Sequence, residues 1–277
     1  MLPYLRPTDL GDALTVLQKS APQIIAGGTD VYPAMPPGAR AEAFLDVTRI
    51  EGFSEITRTQ DGVRFGAAVT WSDIVRADLP CAFDALKEAA KEVGSLQIQN
   101  AGTIAGNICN ASPAADGVPP LLALNAEVEL ASLARGTRTV PLGDFITGVR
   151  KVDLLPDELV TAVSVPHPPG DMGSAFEKLG SRRYLVISIT MTAANVLLDA
   201  NGRIEKAQIA VGACSAVAQR LPELERDLIG MRPSEVTIED RHLVPLSPID
   251  DVRGSGSYRL DAAAEQIQRA ISRAVLT

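Results

Sequence analysis

Two glycine-containing segments of this 277-residue chain carry residue types that suit an anionic ligand, and neither depends on an ionisable side chain. The first segment, Ile24–Val31, runs from apolar residues into the paired glycines Gly27 and Gly28. Because glycine has no Cβ, successive backbone N–H groups can approach a ligand there, and Thr29 adds a hydroxyl. Such a nest of amides is typical of diphosphate binding. A tight turn at the end of a strand gives the same pattern, so this segment alone leaves both alternatives open.

The second segment, Gly94–Asp116, is uncharged up to its last residue. Gly102 and Gly106 permit close approach of the backbone. Polar side chains in the same segment offer hydrogen bonds, namely Thr103, Asn107, Asn110 and Ser112. A solvated surface loop normally carries lysine and glutamate, so this composition favours a loop wrapped around a ligand. An ordered loop without a ligand is the alternative.

Neither segment matches the two common phosphate-binding motifs. No Gly-Lys-Ser/Thr follows either one, as a P-loop requires, and Gly-x-Gly-x-x-Gly is absent from both. Two separate nests with few cations instead favour one extended ligand with a diphosphate in its middle. A dinucleotide has that shape.

Apolar periodicity and turn residues predict the elements that must position these segments. Apolar residues at three- and four-residue steps predict a helix over Leu10–Leu17, capped by Thr8 or Asp9. A capping box at Thr70–Asp73 opens another helix, and Asp199–Gly202 predicts a hairpin turn because Asn-Gly accepts positive φ. Further strands are predicted at 23–26, 44–47, 63–67, 127–131, 137–140, 159–165, 185–198 and 203–212. Further helices are predicted at 82–93, 119–124, 224–229 and 262–275.

The order of these elements predicts an α+β protein of three consecutive parts. The Pro/Gly cluster at 166–170 is the clearest boundary in the sequence. The predicted domains are residues 1–57, 58–170 and 171–277.

Charge and composition argue against several function classes. The 34 acidic residues outnumber the 26 basic ones, giving a net charge of −8 with no basic stripe, so nucleic acid is not an expected partner. No run approaches the roughly 18 apolar residues of a membrane span. Residues 1–10 lack a basic region followed by an apolar stretch, so we expect a cytoplasmic protein.

Few side chains suit metal binding or acid–base catalysis. The cysteines (Cys81, Cys109 and Cys214) show no metal-ligand spacing, and the two histidines (His167 and His242) are predicted to be solvated. Cys109 is predicted to be a small buried thiol and Trp71 a core residue. We therefore expect no metal site and no catalytic side chain, with the chemistry supplied by a bound cofactor.

Several stretches together resemble the FAD-binding medium subunit of molybdenum hydroxylases, the group of xanthine dehydrogenase and aerobic carbon monoxide dehydrogenase. They are Ala26-Gly-Gly-Thr-Asp30, Thr103-Ile-Ala-Gly-Asn107, Ala111-Ser-Pro-Ala-Ala-Asp116 and residues 174–183. The resemblance covers nearly the full chain. It implies an α+β fold with a two-lobed FAD-binding domain like that of vanillyl-alcohol oxidases (PCMH-type). A C-terminal α+β domain of the CO dehydrogenase flavoprotein type would follow.

The resemblance also implies which residues bind FAD. Residues 24–31 and 103–107 would bind the diphosphate, Asp116 would hydrogen-bond the ribityl chain or a nearby polar part of the flavin, and Lys178 would reach the flavin region. The family's usual Thr-Ile-Gly-Gly-Asn has Ala105 in place of its first glycine here, which requires negative φ and a methyl group clear of the phosphate. The implied cofactor-binding residues are Ile24, Ile25, Ala26, Gly27, Gly28, Thr29, Asp30, Val31, Val93, Gly94, Thr103, Ile104, Ala105, Gly106, Asn107, Ser112, Asp116, Val160 and Lys178.

Partners and function follow from the same resemblance. The chain would be the flavoprotein subunit of an oxidoreductase complex, taking electrons from the [2Fe–2S] clusters of a small subunit. A large molybdopterin subunit would hydroxylate the substrate, and FAD would pass the electrons to NAD, a quinone or oxygen. Two alternatives stay open: a self-sufficient flavin oxidoreductase of the vanillyl-alcohol oxidase type, and a non-enzymatic scaffold protein. Arg182 and Arg183 would contact a partner or the flavin edge, or form a solvated strand entry.

Overall fold

Short helices and strands fill residues 3–35 and 43–276, the parts of the chain that this computed structural model describes. The strands are β1 (Tyr4–Leu5), β2 (Gln23–Ile25), β3 (Phe44–Asp46), β4 (Ile56–Arg58), β5 (Gly62–Gly66), β6 (Glu127–Ser132), β7 (Gly136–Pro141), β8 (Ile146–Gly148), β9 (Lys151–Val152), β10 (Leu159–Pro166), β11 (Gly173–Leu179), β12 (Thr190–Leu198), β13 (Ile204–Gly212) and β14 (Gln219–Arg220). The α-helices are α1 (Leu10–Lys19), α2 (Val31–Ala34), α3 (Trp71–Arg76), α4 (Asp84–Glu92), α5 (Leu96–Gln99), α6 (Ile104–Asn110), α7 (Val118–Ala123), α8 (Leu142–Phe145), α9 (Pro222–Asp227) and α10 (Gly256–Ala274). Short 3₁₀ turns lie at Cys81–Phe83, Pro233–Glu235 and Asp240–Leu243.

The first sheet is parallel and places the first glycine segment at its edge. Its strand order is β1-β3-β2, and α1 packs on it through Ala13, Leu14 and Leu17, one apolar face as the periodicity predicts. Asp9, not Thr8, caps α1, since its carboxylate accepts a hydrogen bond from the Asp12 amide at 3.2 Å. Gly27 follows the carboxyl end of β2 almost directly, which is the edge of a parallel sheet where ligands commonly bind.

The second sheet is antiparallel and carries the element that supports the second glycine segment. Its strand order is β4-β5-β10-β6-β7, with β10 paired to β5 on one side and β6 on the other. The chain leaves β5 and enters α3 through the predicted capping box. In it, Thr70 Oγ1 accepts from the Asp73 amide, and Asp73 Oδ2 accepts from the Thr70 amide and hydroxyl.

Removing this cap is expected to destabilise the fold measurably. Thr70→Ala loses the bonds to the Asp73 amide and carboxylate, at a cost of about 1 kcal/mol in the free energy of unfolding. Urea denaturation of the purified chain measures the change. Thr139→Ala, an exposed threonine on β7, is the matched control and should cost less. Equal losses of unfolding free energy in the two variants would show that the cap stabilises the fold no more than an exposed threonine does.

The third sheet separates two hydrophobic clusters. It is antiparallel, in the order β11-β12-β13-β14. Successive residues of a strand face opposite sides, so Met191 and Ala193 of β12 join the cluster that includes α4 and α7. Ala194 and Val196 of the same strand pack instead in the cluster formed with α10. One side of this sheet therefore contacts the elements that lead into the second glycine segment.

Most predicted elements are confirmed to within a few residues, and three are corrected. The strand expected from Leu185 begins at Thr190, because Leu185 has φ +52 and interrupts the extended backbone. The terminal helix starts at Gly256 rather than 262, because Ser255 caps it by accepting from the Tyr258 amide. The uncharged segment 94–116 contains α5 and α6 rather than being loop throughout.

His242 corrects the prediction of two solvated histidines. Its residue is 2% exposed, Nδ1 accepts from the Glu239 amide at 3.1 Å, and Nε2 lies 3.3 Å from Asp227 Oδ2. The 3₁₀ turn that contains it packs the ring inward, where both nitrogens have partners. His167 is exposed, as predicted.

Across the described ranges, no helix is both long and apolar enough to cross a bilayer. The division into domains 1–57, 58–170 and 171–277 stays a prediction.

Candidate functional site

The two glycine segments lie directly against each other. A Cβ on Gly27 would be 1.8 Å from the carbonyl oxygen of Ala101, and a Cβ on Gly102 would be 3.4 Å from Thr29 Oγ1. Residues about 75 positions apart therefore form one surface. The contact is possible only because residue 27 has no side chain.

The first segment presents amides that have no hydrogen-bond partner among the described residues. Gly28 adopts φ +69, which turns the chain into α2, and its carbonyl accepts from the Tyr32 amide at 3.1 Å. The amides of residues 27–30 donate to no carbonyl or side chain within 3–35 and 43–276. This segment, which contains Gly27, Thr29 and the half-buried Ala26, therefore has backbone N–H groups available to bind a ligand.

The second segment begins a helix and is tied to the β5–α3 connection. The Gly102 carbonyl accepts from the Trp71 amide at 3.2 Å, and the Ile104 amide donates to the Val69 carbonyl at 3.0 Å. Thr103 caps α6, its hydroxyl accepting from the Gly106 amide at 3.1 Å. Residues 103–107 are therefore the N-cap and first turn of α6, and the amides of Ile104 and Gly106 are bonded within the protein.

Ala105 meets the backbone condition that the sequence set for it. It lies within α6 and does not have positive φ, and its methyl group is buried in the core. Gly106, the next residue, is exposed. A Cβ on Gly106 would have Thr103 Oγ1 as its near neighbour, at 2.9 Å. The alanine thus stands at the position that faces the core, and the glycine is kept at the exposed position.

Trp71 packs beneath both ends of the second segment. Its residue is 1% exposed, as predicted for a core residue. A Cβ on Gly102 would be 3.4 Å from Trp71 Cδ1, and one on Gly117 would be 2.3 Å from Trp71 Cη2. Asn107 Oδ1 would be 3.0 Å from the same Gly117 Cβ, and this oxygen is buried without a hydrogen-bond partner among the described residues. Such an orphaned polar atom points to a group that is missing beside it.

A buried ion pair closes the far end of the second segment. Lys178 Nζ lies 2.6 Å from Asp116 Oδ2, and Ser188 Oγ donates to Asp116 Oδ1, also at 2.6 Å. The ammonium donates a second bond to the carbonyl of Glu92 at 3.2 Å, next to Val93. Burial raises the pKa of Asp116, and the bonds from Lys178 and Ser188 oppose that rise.

The remaining predicted residues have different surroundings. Gly94 is exposed with φ +54. It comes two residues after Glu92, whose carbonyl accepts from Lys178. Ser112 is half-buried and its hydroxyl accepts from the Ala114 amide at 3.3 Å. Val160 is a core residue on β10, with 5% exposure. The structure thus groups 24–31 with 101–107, and separately groups 92–94 with Asp116 and Lys178.

Some groups that take part in the site could not be identified from the sequence. Ser188 and the carbonyls of Ala101 and Glu92 take part through geometry alone, since neither composition nor spacing marks them. Arg182 and Arg183 are exposed and contact their own loop, donating to the carbonyls of Tyr184 and Leu185 and to the Tyr184 hydroxyl.

The chemistry that this arrangement supports is binding rather than acid–base catalysis. Burial raises the pKa of the Cys109 thiol to about 12, so it stays protonated at neutral pH. No cluster of three or more potential metal ligands occurs in the part of the chain that the structure covers. The groups available to bind a ligand are backbone amides, a threonine hydroxyl and glycines that allow close approach.

Comparisons with known proteins span the whole chain. The model of the FAD binding domain in molybdopterin dehydrogenase matches residues 1–168, and that of the CO dehydrogenase flavoprotein C-terminal domain matches residues 174–274. The nicotine 6-hydroxylase medium subunit of Paenarthrobacter nicotinovorans is 31% identical over 97% of this chain and 95% of its own length. The xanthine dehydrogenase FAD-binding subunit of Escherichia coli O157:H7 is 32% identical over 98% of this chain and 95% of its own. A chain of reconstituted CO dehydrogenase from Oligotropha carboxidovorans superposes with a TM-score of 0.90 at 26% identity, covering 100% of this chain and 98% of that one.

Proposed function

The chain belongs to the family of FAD binding domains in molybdopterin dehydrogenases, and from that premise we propose that its amide-lined surface holds the FAD of a molybdenum hydroxylase. The family resemblance, the α+β fold and the oxidoreductase class, all expected from the sequence, are confirmed. The residue assignments, the partner chains and the electron acceptor belong to the proposal. The observation that carries it is the contact between the segments at Gly27 and Ala101.

The residues present fit the diphosphate of FAD. At Gly27 and Gly28 a Cβ would collide with Ala101 and Tyr32, so both positions require glycine, and the amides of residues 27–30 have no described partner. The site has few charges, so its donors are amides and hydroxyls, which suit an anion held in a partly buried cleft. Asn107 Oδ1, beside Gly117, is a buried acceptor without a described partner, so it would suit a donor group of the cofactor rather than its diphosphate.

The chain's own residues bind and orient, and we assign them no proton transfer. The amides of residues 27–30 would hold the diphosphate, with the Thr29 hydroxyl as a further donor. The amides of Ile104 and Gly106 are already bonded to the Val69 carbonyl and the Thr103 hydroxyl. Trp71 and the glycines packed on it keep the second segment in place. Bound there, FAD would accept electrons singly and deliver them as a pair.

We place this chain in a complex with two partners, a small subunit with [2Fe–2S] clusters and a large molybdopterin subunit. The Paenarthrobacter relative is named a medium subunit, which supports an assembly with further chains. The electrons would leave to NAD, a quinone or oxygen. Affinity purification from the native source, with mass spectrometry and metal analysis of the captured chains, tests this part. Recovery of the flavoprotein alone would contradict it.

The alternatives are not favoured. The curated relatives are dehydrogenase or hydroxylase subunits, whereas a self-sufficient flavin oxidoreductase would need a substrate site within this chain. A scaffold protein would have no use for the amides of residues 27–30, which have no hydrogen-bond partner among the described residues. Absorbance of the purified protein decides against the scaffold if flavin bands are present.

A pair of neighbouring substitutions tests the binding assignment. Gly106→Ala adds a methyl group on the exposed side of α6, 2.9 Å from Thr103 Oγ1, so the capping hydroxyl must shift and FAD affinity should fall at least about tenfold. In the free energy of unfolding, the higher helix propensity of alanine and the disturbed cap oppose each other. Ala105→Gly removes a methyl group that faces the core, so it should lower the free energy of unfolding by about 1 kcal/mol and leave FAD affinity within about threefold. Fluorescence titration of apoprotein with FAD and urea denaturation measure both. Equal affinities for the two variants would exclude Gly106 from the binding surface.

A further inference from the structure

Three buried polar atoms in the layer between β12 and α10 have no hydrogen-bond partner among the described residues. They are Thr192 Oγ1, Gln266 Oε1 and Arg259 Nε, and their residues are 0%, 6% and 0% exposed. Buried polar groups in folded proteins almost always have a partner, which is either protein or ordered water. Three unmet groups would remove a large share of the stability of a domain, so they need a common explanation.

The alternation of β12 and the packing of α10 place these atoms on the same side of the third sheet. Met191 and Ala193 pack in the cluster that includes α4 and α7, so Thr192 faces the opposite side, where α10 lies. Gln266 reaches the same strand from α10, because its Nε2 donates to the Thr190 carbonyl at 3.5 Å. The hydroxyl and the amide oxygen therefore belong to one buried layer.

Arg259 faces this layer from the first turn of α10, and its charge is already neutralised. Nη1 donates to the carbonyls of Ile189 and Ala213, and Nη2 lies 2.7 Å from Asp251 Oδ1. Only Nε is left as a donor within the described part of the chain. Because Asp251 balances the guanidinium, these groups call for a neutral ligand rather than an anion or a cation.

We propose that β12 and α10 enclose an internal water site, with Thr192 Oγ1, Gln266 Oε1 and Arg259 Nε as its protein ligands. Water both donates and accepts, so it can accept from Nε, donate to the amide oxygen and pair with the hydroxyl in either direction. A buried water usually has about two to four polar partners of this kind. The burial of all three residues limits the ligand to a molecule as small as water.

This site gives α10 a polar attachment within an otherwise apolar interface. The helix contacts the cluster beneath it through Ala263, Ile267, Ala270 and Ile271. Apolar contacts tolerate a small shift of a helix along a sheet, whereas a shift would separate hydrogen-bond donors from their acceptors. Bound water therefore fixes the position of α10 on β12. This role concerns the C-terminal part of the chain and does not depend on FAD.

Thr192→Val tests the site through the sign of its effect on stability. If water binds the hydroxyl, valine leaves that water with one partner fewer, and the melting temperature of the full-length chain should fall by about 2–4 °C. If the hydroxyl has no partner, valine removes a buried unmet group and the melting temperature should rise. Thr139→Val, at an exposed position of β7, is the matched control for the higher strand propensity of valine and should melt at or above the wild type.

Two further measurements detect the water itself. In a crystal structure of the full-length chain, we expect an ordered density peak within hydrogen-bond distance of Thr192 Oγ1 and Gln266 Oε1. Magnetic relaxation dispersion of oxygen-17 water counts long-lived internal molecules in solution. Gln266→Met should lose at least one of them, because methionine has a similar length and no amide oxygen. Gln268→Met changes a half-buried glutamine of the same helix and should leave the count unchanged.

Three results would overturn the water site. The first is a melting temperature of Thr192→Val above that of Thr139→Val. The second is a crystal structure in which Thr192 Oγ1 and Gln266 Oε1 bond to each other or to other protein groups, with no density between them. The third is the same number of long-lived waters in the wild type and in Gln266→Met. The wild-type crystal structure decides the question even if a variant fails to fold.

Discussion

Replacing Gly27 by alanine is expected to abolish FAD binding at micromolar cofactor. The new Cβ would lie 1.8 Å from the Ala101 carbonyl oxygen and 2.4 Å from its carbon, both backbone atoms that no rotamer change can move. The two glycine segments must therefore separate, which moves the amides of residues 27–30 away from the backbone of Ala101 and Gly102. A change of this kind should weaken FAD binding at least about a hundredfold, since a misplaced site loses most of its hydrogen bonds together. Fluorescence titration of the apoprotein measures it.

The control for this substitution is Gly143→Ala. Gly143 lies in α8, lacks positive φ, and a Cβ there would meet only Leu122 Cδ2, at 3.8 Å. The alanine should therefore be accommodated and should leave FAD affinity unchanged. Wild-type affinity in Gly27→Ala, with circular dichroism showing a folded protein, would refute the joint binding surface.

Truncating Trp71 is expected to give the largest loss of stability among single substitutions near the site. Trp71→Ala removes a fully buried side chain and should lower the free energy of unfolding by about 3–5 kcal/mol. The cavity would also free Gly102 and Gly117 from the indole that they pack on, so the second segment should lose its fixed shape. We expect FAD affinity to fall at least about tenfold at a temperature where the variant remains folded, since the segment must then be ordered by the ligand itself. Urea denaturation and FAD titration together give the two quantities.

Phe145→Ala is the control that distinguishes a specific effect on the second glycine segment from a general loss of stability. Phe145 is fully buried in α8 and is not part of either glycine segment, so it should lose about as much stability, again about 3–5 kcal/mol, with little change in FAD affinity. Trp71→Phe adds a milder variant that keeps an aromatic ring under the segment. If Trp71→Ala and Phe145→Ala weakened FAD binding equally, the effect would come from lost stability and not from support of the second segment.

The local features of the site could be predicted from the sequence because their causes lie within a few residues. Gly27 and Gly28 expose amides through the absence of a Cβ, and Thr70 with Asp73 forms its capping box three residues apart. The hairpin at Asp199–Gly202 follows from the positive φ that Gly202 adopts. The resemblance of the same short motifs to a known family gave the cofactor and the reaction class.

The elements that were mispredicted depend on neighbours that the sequence does not name. The predicted strand from Leu185 fails because β12 pairs with β11 only from Thr190 onward. His242 is buried because α9 and its own 3₁₀ turn supply partners for both ring nitrogens. Apolar periodicity carries no information on such partners.

What the sequence determined by itself is thus the chemistry of each segment: donors from glycine-rich backbone, few charges and no acid–base pair. What only the tertiary structure decided is their arrangement. The Ala101 carbonyl packs on Gly27, and Lys178 reaches Asp116 across 62 positions of chain. Ser188 reaches the same carboxylate from a loop whose own sequence shows no sign of a site. The physical reason is that backbone conformation and capping are set by adjacent residues, whereas contacts between distant segments are set by how sheets and helices pack, a property of the whole chain.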